Sequence, residues 1–340
     1  MKKLSYINKM IYFINYIFAI LLLLGFALPL MAPSTAPKLA IMSLAMPILF
    51  IINIVFAIYW LIGLKPQFFL SLVCLVLGYF VSSPYYNLSE KNVKTPNEIS
   101  IMNYNVRLFN VYNWIEDKEI PTKIAKFIKI ENPDILCVQE YHLSGDNKNK
   151  IIDYPYKYIK IVSKKAKFGQ AIFSKYKIIN QGSLGFKNTQ NNAIYVDILK
   201  KRDTIRIYNI HLESLGLNVE KENFGEKNSE RLVARLSKEF VKQQQQVEQI
   251  KKHQKKCKYP VIISGDLNNT AYSWTYKNIK SNMKDSFLKA GTGFGKTFEI
   301  KRFPMRIDFI FADGIFTINE HKNYKVNYSD HKPIMARIGL

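Results

Sequence analysis

Charge is missing from long stretches of this 340-residue chain. Residues 10–37, 39–64 and 66–89 contain no Asp, Glu, Lys or Arg, which leaves runs of 28, 26 and 24 uncharged residues. The hydrocarbon core of a bilayer, about 30 Å thick, is crossed by roughly 20 apolar helical residues, so each run is long enough to span it. A purely soluble chain is excluded. A cleaved signal peptide would account for the first run at most, and that run is too long for one. The pattern predicts three transmembrane helices, at about residues 11–31, 39–64 and 67–83, within an anchor formed by residues 1–90. The spans hold no His either, so a transport or proton-relay role has no ionisable group to work with.

Cysteine is scarce as well. Of the three, Cys74 lies in an apolar run, and Cys137 and Cys257 are far apart in sequence. Neither a disulfide framework nor a Cys-based zinc site is implied. Acidic residues are outnumbered, 26 against 49 Lys and Arg; outside residues 1–90 the balance is 44 basic to 25 acidic, net +19. Such an excess suits an anionic partner: nucleic acid, phosphate esters or lipid head groups. Lysine makes up 41 of the 49, and scattered Lys is ordinarily a solvated surface, so charge alone does not select nucleic acid. Lys2, Lys3, Lys9 and Lys65 fall on one side of the spans, and Lys38, Lys91 and Lys94 on the other. The cluster before the first span favours a cytoplasmic N-terminus, and three crossings then place the rest outside the cytoplasm.

After a linker at residues 91–97 the pattern is mixed α and β. Runs of β-branched and aromatic residues predict strands at 98–106, 134–139, 156–162, 169–174, 193–199, 204–210, 259–264, 306–311 and 334–338. Helical spacing appears at 122–130 and from 229 to about 256, and residues 215–228 read as a polar loop. Most of the strand-like runs end in acidic, amide or imidazole groups. Asn103 and Asn105 close one, Gln139 and Glu140 another, His211 and Glu213 a third, Asp266 and Asn268 a fourth. Asp308 lies within a strand, and Asp330 and His331 precede Pro333. Strand ends on one rim of an α/β structure are where sites assemble. Singly each residue has a bland account as a turn former or surface group; six coincidences in one chain outweigh it. Hard oxygen donors with two imidazoles, and no His-x-x-x-His pair, suit Mg²⁺ or Mn²⁺ better than zinc.

Six segments carry a resemblance: Asn-Tyr-Asn-Val (103–106), Val-Gln-Glu (138–140), Asn-Ile-His-Leu-Glu-Ser (209–214), Ser-Gly-Asp-Leu-Asn (264–268), Arg-Ile-Asp-Phe-Ile-Phe (306–311) and Ser-Asp-His-Lys-Pro (329–333). In this order the set resembles the motifs of the endonuclease/exonuclease/phosphatase superfamily, the DNase I-like fold, across residues 98–340. The resemblance implies an α/β (α+β) four-layer sandwich of two mixed β-sheets flanked by helices, with Mg²⁺ or Mn²⁺ as cofactor. By the same resemblance Glu140 is the main metal ligand, with Asn105 beside it and Asp330 completing the metal environment. His331 is the implied base for the attacking water, oriented by Asp308. Asp266 and Asn268 position the water or the scissile phosphate, and His211 donates to a phosphate oxygen. The chain departs from relatives acting on abasic DNA at Arg107, where they often carry an acid. Arg107 is a candidate substrate-phosphate contact and equally a surface Arg after a strand.

These readings lead to a membrane-anchored, metal-dependent phosphoesterase, multi-pass in the cell (inner) membrane, with an extracytoplasmic catalytic domain. Its substrate is a phosphate ester, with DNA or RNA favoured over phospholipid or inositol phosphate, and no obligate protein partner is inferred. The reading from a different class is a catalytically silent, membrane-tethered binding module. Intact Glu140, Asp266, Asp308 and His331 argue against silence.

Overall fold

Period-two alternation along the second part of the chain resolves into two six-stranded sheets in the computed structural model, which describes residues 4–84, 86–143, 154–163, 167–216, 226–300 and 303–340. Most of the 215–228 segment expected as a polar loop lies outside those residues. The sheet strands are β1 (Glu98–Asn105), β2 (Ile135–His142), β3 (Tyr156–Ile161), β4 (Phe168–Ser174), β5 (Lys177–Ser183) and β6 (Asn192–Lys200). They continue as β7 (Asp203–His211), β8 (Val261–Asp266), β9 (Lys284–Asp285), β10 (Asp308–Ala312), β11 (Thr317–Asn323) and β12 (Ile334–Gly339). The longer helices are α1 (Tyr6–Gly25), α2 (Met46–Ile62), α3 (Phe68–Val81), α4 (Ile120–Glu131) and α5 (Glu226–Gln254).

One sheet has the order β11-β12-β1-β2-β4-β3 and the other β9-β10-β8-β7-β6-β5. Only β1 with β2 and β7 with β8 run parallel, so both sheets are mixed. Ile99, Ile101, Ile135 and Ile172 of the first sheet face Ile194, Val196, Ile205, Ile207 and Ile262 of the second in one fully buried core. Because successive side chains point to opposite faces, Met102, Tyr104, Leu136 and Val138 cover the other side of the first sheet. There they meet Ile120, Ile124 and Ile128 of α4, spaced at four residues and so on one helical face. The second sheet is covered near the C-terminal end of α5, where Tyr208 Oη and His253 Nδ1 are 2.7 Å apart. These are the layers of the expected sandwich.

Chain contacts divide the molecule into two compact units. The sandwich forms one, and residues 1–85 form the other together with α5 up to Gln244 and residues 270–277. In this second unit polarity is inverted. Asn15, Asn53 and Ser71 are buried between α1, α2 and α3: Asn15 Nδ2 donates to Ser71 Oγ (2.7 Å), Ser71 Oγ to Asn53 Oδ1 (3.1 Å), and Trp60 Nε1 to Asn15 Oδ1 (3.0 Å). Phe13, Val55, Ile58, Val73 and Phe80 are exposed. Tyr272 packs into the same unit against Phe50, at 5.6 Å between ring centroids, and Thr270 Oγ1 donates to the Ser43 carbonyl. Two helical stretches are long and apolar enough to cross a membrane, Tyr6–Leu30 with 25 residues and Pro37–Ile62 with 26. The third expected span is a shorter apolar helix, α3, of 14 residues, roughly 21 Å at 1.5 Å per residue.

Candidate active site

Register brings the site together. Parallel pairing of β7 and β8 sets His211 opposite Asp266, and antiparallel pairing of β8 and β10 sets Asp266 opposite Asp308. Three neighbouring strands thus present an imidazole and two carboxylates in a row. In the first sheet Asn105 pairs with Gln139 at the parallel ends of β1 and β2. Glu140 follows at a register shift between Val138 and Tyr141, with φ of 51°. A bulge of this kind re-aims a side chain, and the left-handed conformation costs a non-glycine residue about 1–2 kcal/mol. Gly265, with φ of 159°, lies where an added Cβ would come 2.0 Å from the Ile210 carbonyl oxygen, so β7 and β8 approach this closely only because the residue is glycine.

Buried amides lock the two sheets together beneath the row. Gln139 Nε2 donates to Asn103 Oδ1 (2.8 Å) and Asn209 Oδ1 (2.6 Å), and Asn209 Nδ2 donates to the carbonyls of Val138 and Ala171 (both 2.9 Å). Ser264 Oγ also donates to Asn103 Oδ1, and Asn103 Nδ2 in turn reaches Asp308 Oδ1 at 3.2 Å. Asn103 and Gln139 were visible as polar strand ends; Asn209 within its motif, Ser264 and the cross-sheet role of all four were not. Their pairing spans 36 to 205 residues of sequence, which no local pattern encodes.

His331 sits in the turn before β12, held by Ser329, whose Oγ donates to the Asn105 carbonyl and accepts from the His331 backbone N–H. Its Nδ1 lies 2.9 Å from Asp308 Oδ2 and its Nε2 3.7 Å from Asp266 Oδ2; His211 Nε2 is also 3.7 Å from Asp266 Oδ2. Thr297 Oγ1 accepts from the Asp308 N–H, and the Phe298 ring lies 5.0 Å from that of His331. Asn105 Nδ2 spans Glu140 Oε1 (3.3 Å) and Asp266 Oδ2 (3.1 Å), while its Oδ1 accepts from the Arg107 N–H. In this arrangement Asn105 orients both carboxylates. The Asn268 N–H donates to Asp266 Oδ1 at 2.7 Å, and its side-chain amide to the Leu212 carbonyl. Asp330 is ion-paired with Arg107 at 3.2 Å. Every expected site residue therefore lies at one end of the sandwich.

Environment separates their proton affinities. Burial raises the Asp266 pKa to about 6, against the pull of His331. Burial disfavours charge on His331, but Asp308 and Asp266 outweigh it and hold the imidazole pKa well above its ordinary value. Burial lowers that of His211. Glu140 is raised by burial and then by the like charge of Asp330. A recessed carboxylate next to a second one is a place a divalent cation fits, and the oxygen donors of Glu140 and Asp330 match Mg²⁺ or Mn²⁺. Asp266, Asp308 and His331 form another group, with one ligand atom from each within 4.8 Å of the others. Above these residues opens a cleft of about 610 Å³, with Glu140, His211, Asp266, Asn268, Asp330 and His331 in its lining. Its walls mix the amide and hydroxyl groups of Ser183, Thr189, Gln190, Asn191 and Asn192 with the apolar side chains of Ile161, Val162, Phe168, Phe186 and Phe298.

Comparison with known proteins gives two family matches. A family described as "Endonuclease/Exonuclease/phosphatase family" matches residues 102–331, and one described only as a domain of unknown function matches residues 8–85. No curated protein matches the chain by sequence. Among solved structures the chain is similar to the endonuclease/exonuclease/phosphatase of Bacteroides vulgatus: 19% identity, 73% of this chain and 100% of the other, TM-score 0.56. It is also similar to humanized D. rerio TDP2, with 16% identity over 72% of this chain and 99% of the other, TM-score 0.54. The same identity, coverage and TM-score hold for D. rerio TDP2 complexed with a single-strand DNA product.

Proposed function

The chain belongs to the endonuclease/exonuclease/phosphatase family, and from that premise we propose a membrane-anchored phosphodiesterase that uses Mg²⁺ or Mn²⁺ to cleave nucleic acid. It is a metal-dependent phosphoric ester hydrolase. The observation that carries the reading is His331, held by Asp308 through Nδ1, lining one cleft together with Asp266 and Glu140.

In the proposed mechanism Glu140, with Asp330, holds the cation, and Asn105 keeps Glu140 and Asp266 aligned. The ion, when bound, neutralises charge on the phosphate as it is attacked. Asp308 fixes the His331 ring through Nδ1 and leaves Nε2 facing the cleft. His211 stands as donor to a phosphate oxygen, and Asn268 holds Asp266 through its backbone N–H. His331 is the base by family resemblance. A second reading is favoured by the electrostatics: His331, kept protonated by two carboxylates, stabilises the developing charge, and Asp266, with its pKa near neutrality, accepts the proton of the attacking water.

Ser183, Thr189, Gln190, Asn191 and Asn192 offer the cleft hydrogen-bonding groups for sugar and base edges, and a protein of the same fold has been seen with single-strand DNA product. Full-length protein should hydrolyse DNA in Mg²⁺ when assayed beside sphingomyelin vesicles and inositol phosphates. Hydrolysis confined to the lipid or inositol substrates would overturn the nucleic-acid assignment, and hydrolysis of nothing would favour a silent binding module.

The inverted polarity of the N-terminal unit supports an anchor with α1, α2 and α3 as its three crossings. Apolar side chains facing lipid and Asn or Ser side chains bonding between helices are how bundles hold together in a bilayer. An odd number of crossings and the N-terminal Lys cluster support an extracytoplasmic catalytic unit.

A further inference from the structure

The segment after β1 takes an unusual path. Arg107, Leu108, Phe109 and Asn110 have φ of 43°, 53°, 54° and 62° in succession, and Asn113 has 54°. Each costs free energy that surrounding contacts must offset. Those contacts are present: the buried Phe109 ring packs against Tyr141 at 5.6 Å, and the Asn110 side chain accepts from the Ile115 N–H (3.0 Å) and donates to the Ile115 carbonyl (2.8 Å). The loop so stapled does not bury its largest residues. Trp114 is 44% exposed and Tyr112 69%, with their rings 5.1 Å apart and nearly perpendicular. The Arg107 guanidinium lies 4.5 Å over the Trp114 ring while its Nε pairs with Asp330, and Leu108 lines the cleft. An exposed aromatic pair therefore begins one side chain, Arg107, away from Asp330 and the cleft.

We propose that Trp114 and Tyr112, joined to the site through Arg107, form a stacking platform for an unpaired base of the substrate strand; this rests on the proposed function above. An exposed aromatic ring with a guanidinium over one face takes any base on its other face by stacking, without reading its edges. Arg107 sets the platform next to a phosphate, so the stacked base belongs to a nucleotide close to the scissile bond. Inside a duplex both faces of a base are already stacked on its neighbours, which makes single strands the preferred form. Coupling of the platform to Asp330 through Arg107 favours a base over a lipid as its occupant.

The test compares full-length protein in lipid nanodiscs with its Trp114→Ala and Trp114→Phe variants, by anisotropy of labelled strands in chelator so that no cleavage intervenes. The strands are a single-stranded oligonucleotide and the same backbone with base-less sugars. The wild type should prefer the base-bearing strand by roughly tenfold or more, in line with what one stacked base contributes. Trp114→Ala should bring that ratio close to one, and Trp114→Phe should keep most of it. An unchanged ratio in Trp114→Ala overturns the platform. Failure of the hydrolase reading itself would show separately, as absence of cleavage by the wild type in Mg²⁺.

Discussion

Asp266 and His331 are both pushed toward holding a proton, for opposite reasons: the carboxyl because burial penalises its charge, the imidazole because two carboxylates reward it. If Asp266 is the acceptor it must be ionised to work, so activity rises as pH climbs through its pKa. The acid limb of kcat/KM should then lie at or below about 6, because a cation bound nearby favours the charged form further. Asp266→Asn should lower kcat by roughly 10²–10⁴-fold and remove that limb. An acid limb above pH 7 that persists in Asp266→Asn and vanishes in His331→Gln would return the base role to His331. At this scale the sequence was informative: all nine candidate residues, Arg107 among them, stand at one end of the sandwich. What it could not show was their partners. The ion pair of Arg107 with Asp330 joins residues far apart in the chain, and the amide orientation of Asn105 depends on the carboxylates it meets.

Strands were legible where burial left its period in the sequence and illegible where it did not. The runs at 193–199 and 204–210 predict β6 and β7 to within one residue at each end. β5 and β11 were missed: they are edge strands reading KIINQGS and TINEHKN, β5 mostly exposed and β11 ending in half-buried polar residues. Polar edges discourage pairing with other chains and erase the signal in doing so. The join between the sheets is likewise hidden, since it depends on Asn209 of β7 meeting β2 and β4. Asn209→Leu would remove the side-chain donor to the Val138 and Ala171 carbonyls and one of the two acceptors of Gln139 Nε2. Several buried groups left unpaired cost about 3 kcal/mol together, a fall in Tm of roughly 6–12 °C for a unit of this size. A fall under roughly 2 °C would mean that the amides do not clamp the sheets.

For the molecule as a whole, the division into an apolar first part and a basic second part was visible in the distribution of charge. That residues 270–277 and the start of α5 belong with the N-terminal helices was not, because Tyr272 and Thr270 look like ordinary loop residues until Phe50 and Ser43 are beside them. Nor does a charge-free run of 24 residues reveal that its helix occupies only 14 of them. The three-crossing topology is checked by an alkaline phosphatase fusion after Tyr86, expected to be active; an inactive fusion would place the catalytic unit in the cytoplasm. This chain is proposed to hydrolyse a phosphodiester with a divalent cation held at Glu140. The most direct measurement is cleavage of single-stranded DNA by full-length protein across a Mg²⁺ titration, wild type against Glu140→Gln. Cleavage by the wild type should require Mg²⁺, and Glu140→Gln should be slower by about 10²–10⁴-fold with a higher Mg²⁺ requirement, the scale of several kcal/mol of lost charge stabilisation. Glu140→Gln cleaving at the wild-type rate at equal Mg²⁺ would mean that Glu140 does not hold the cation.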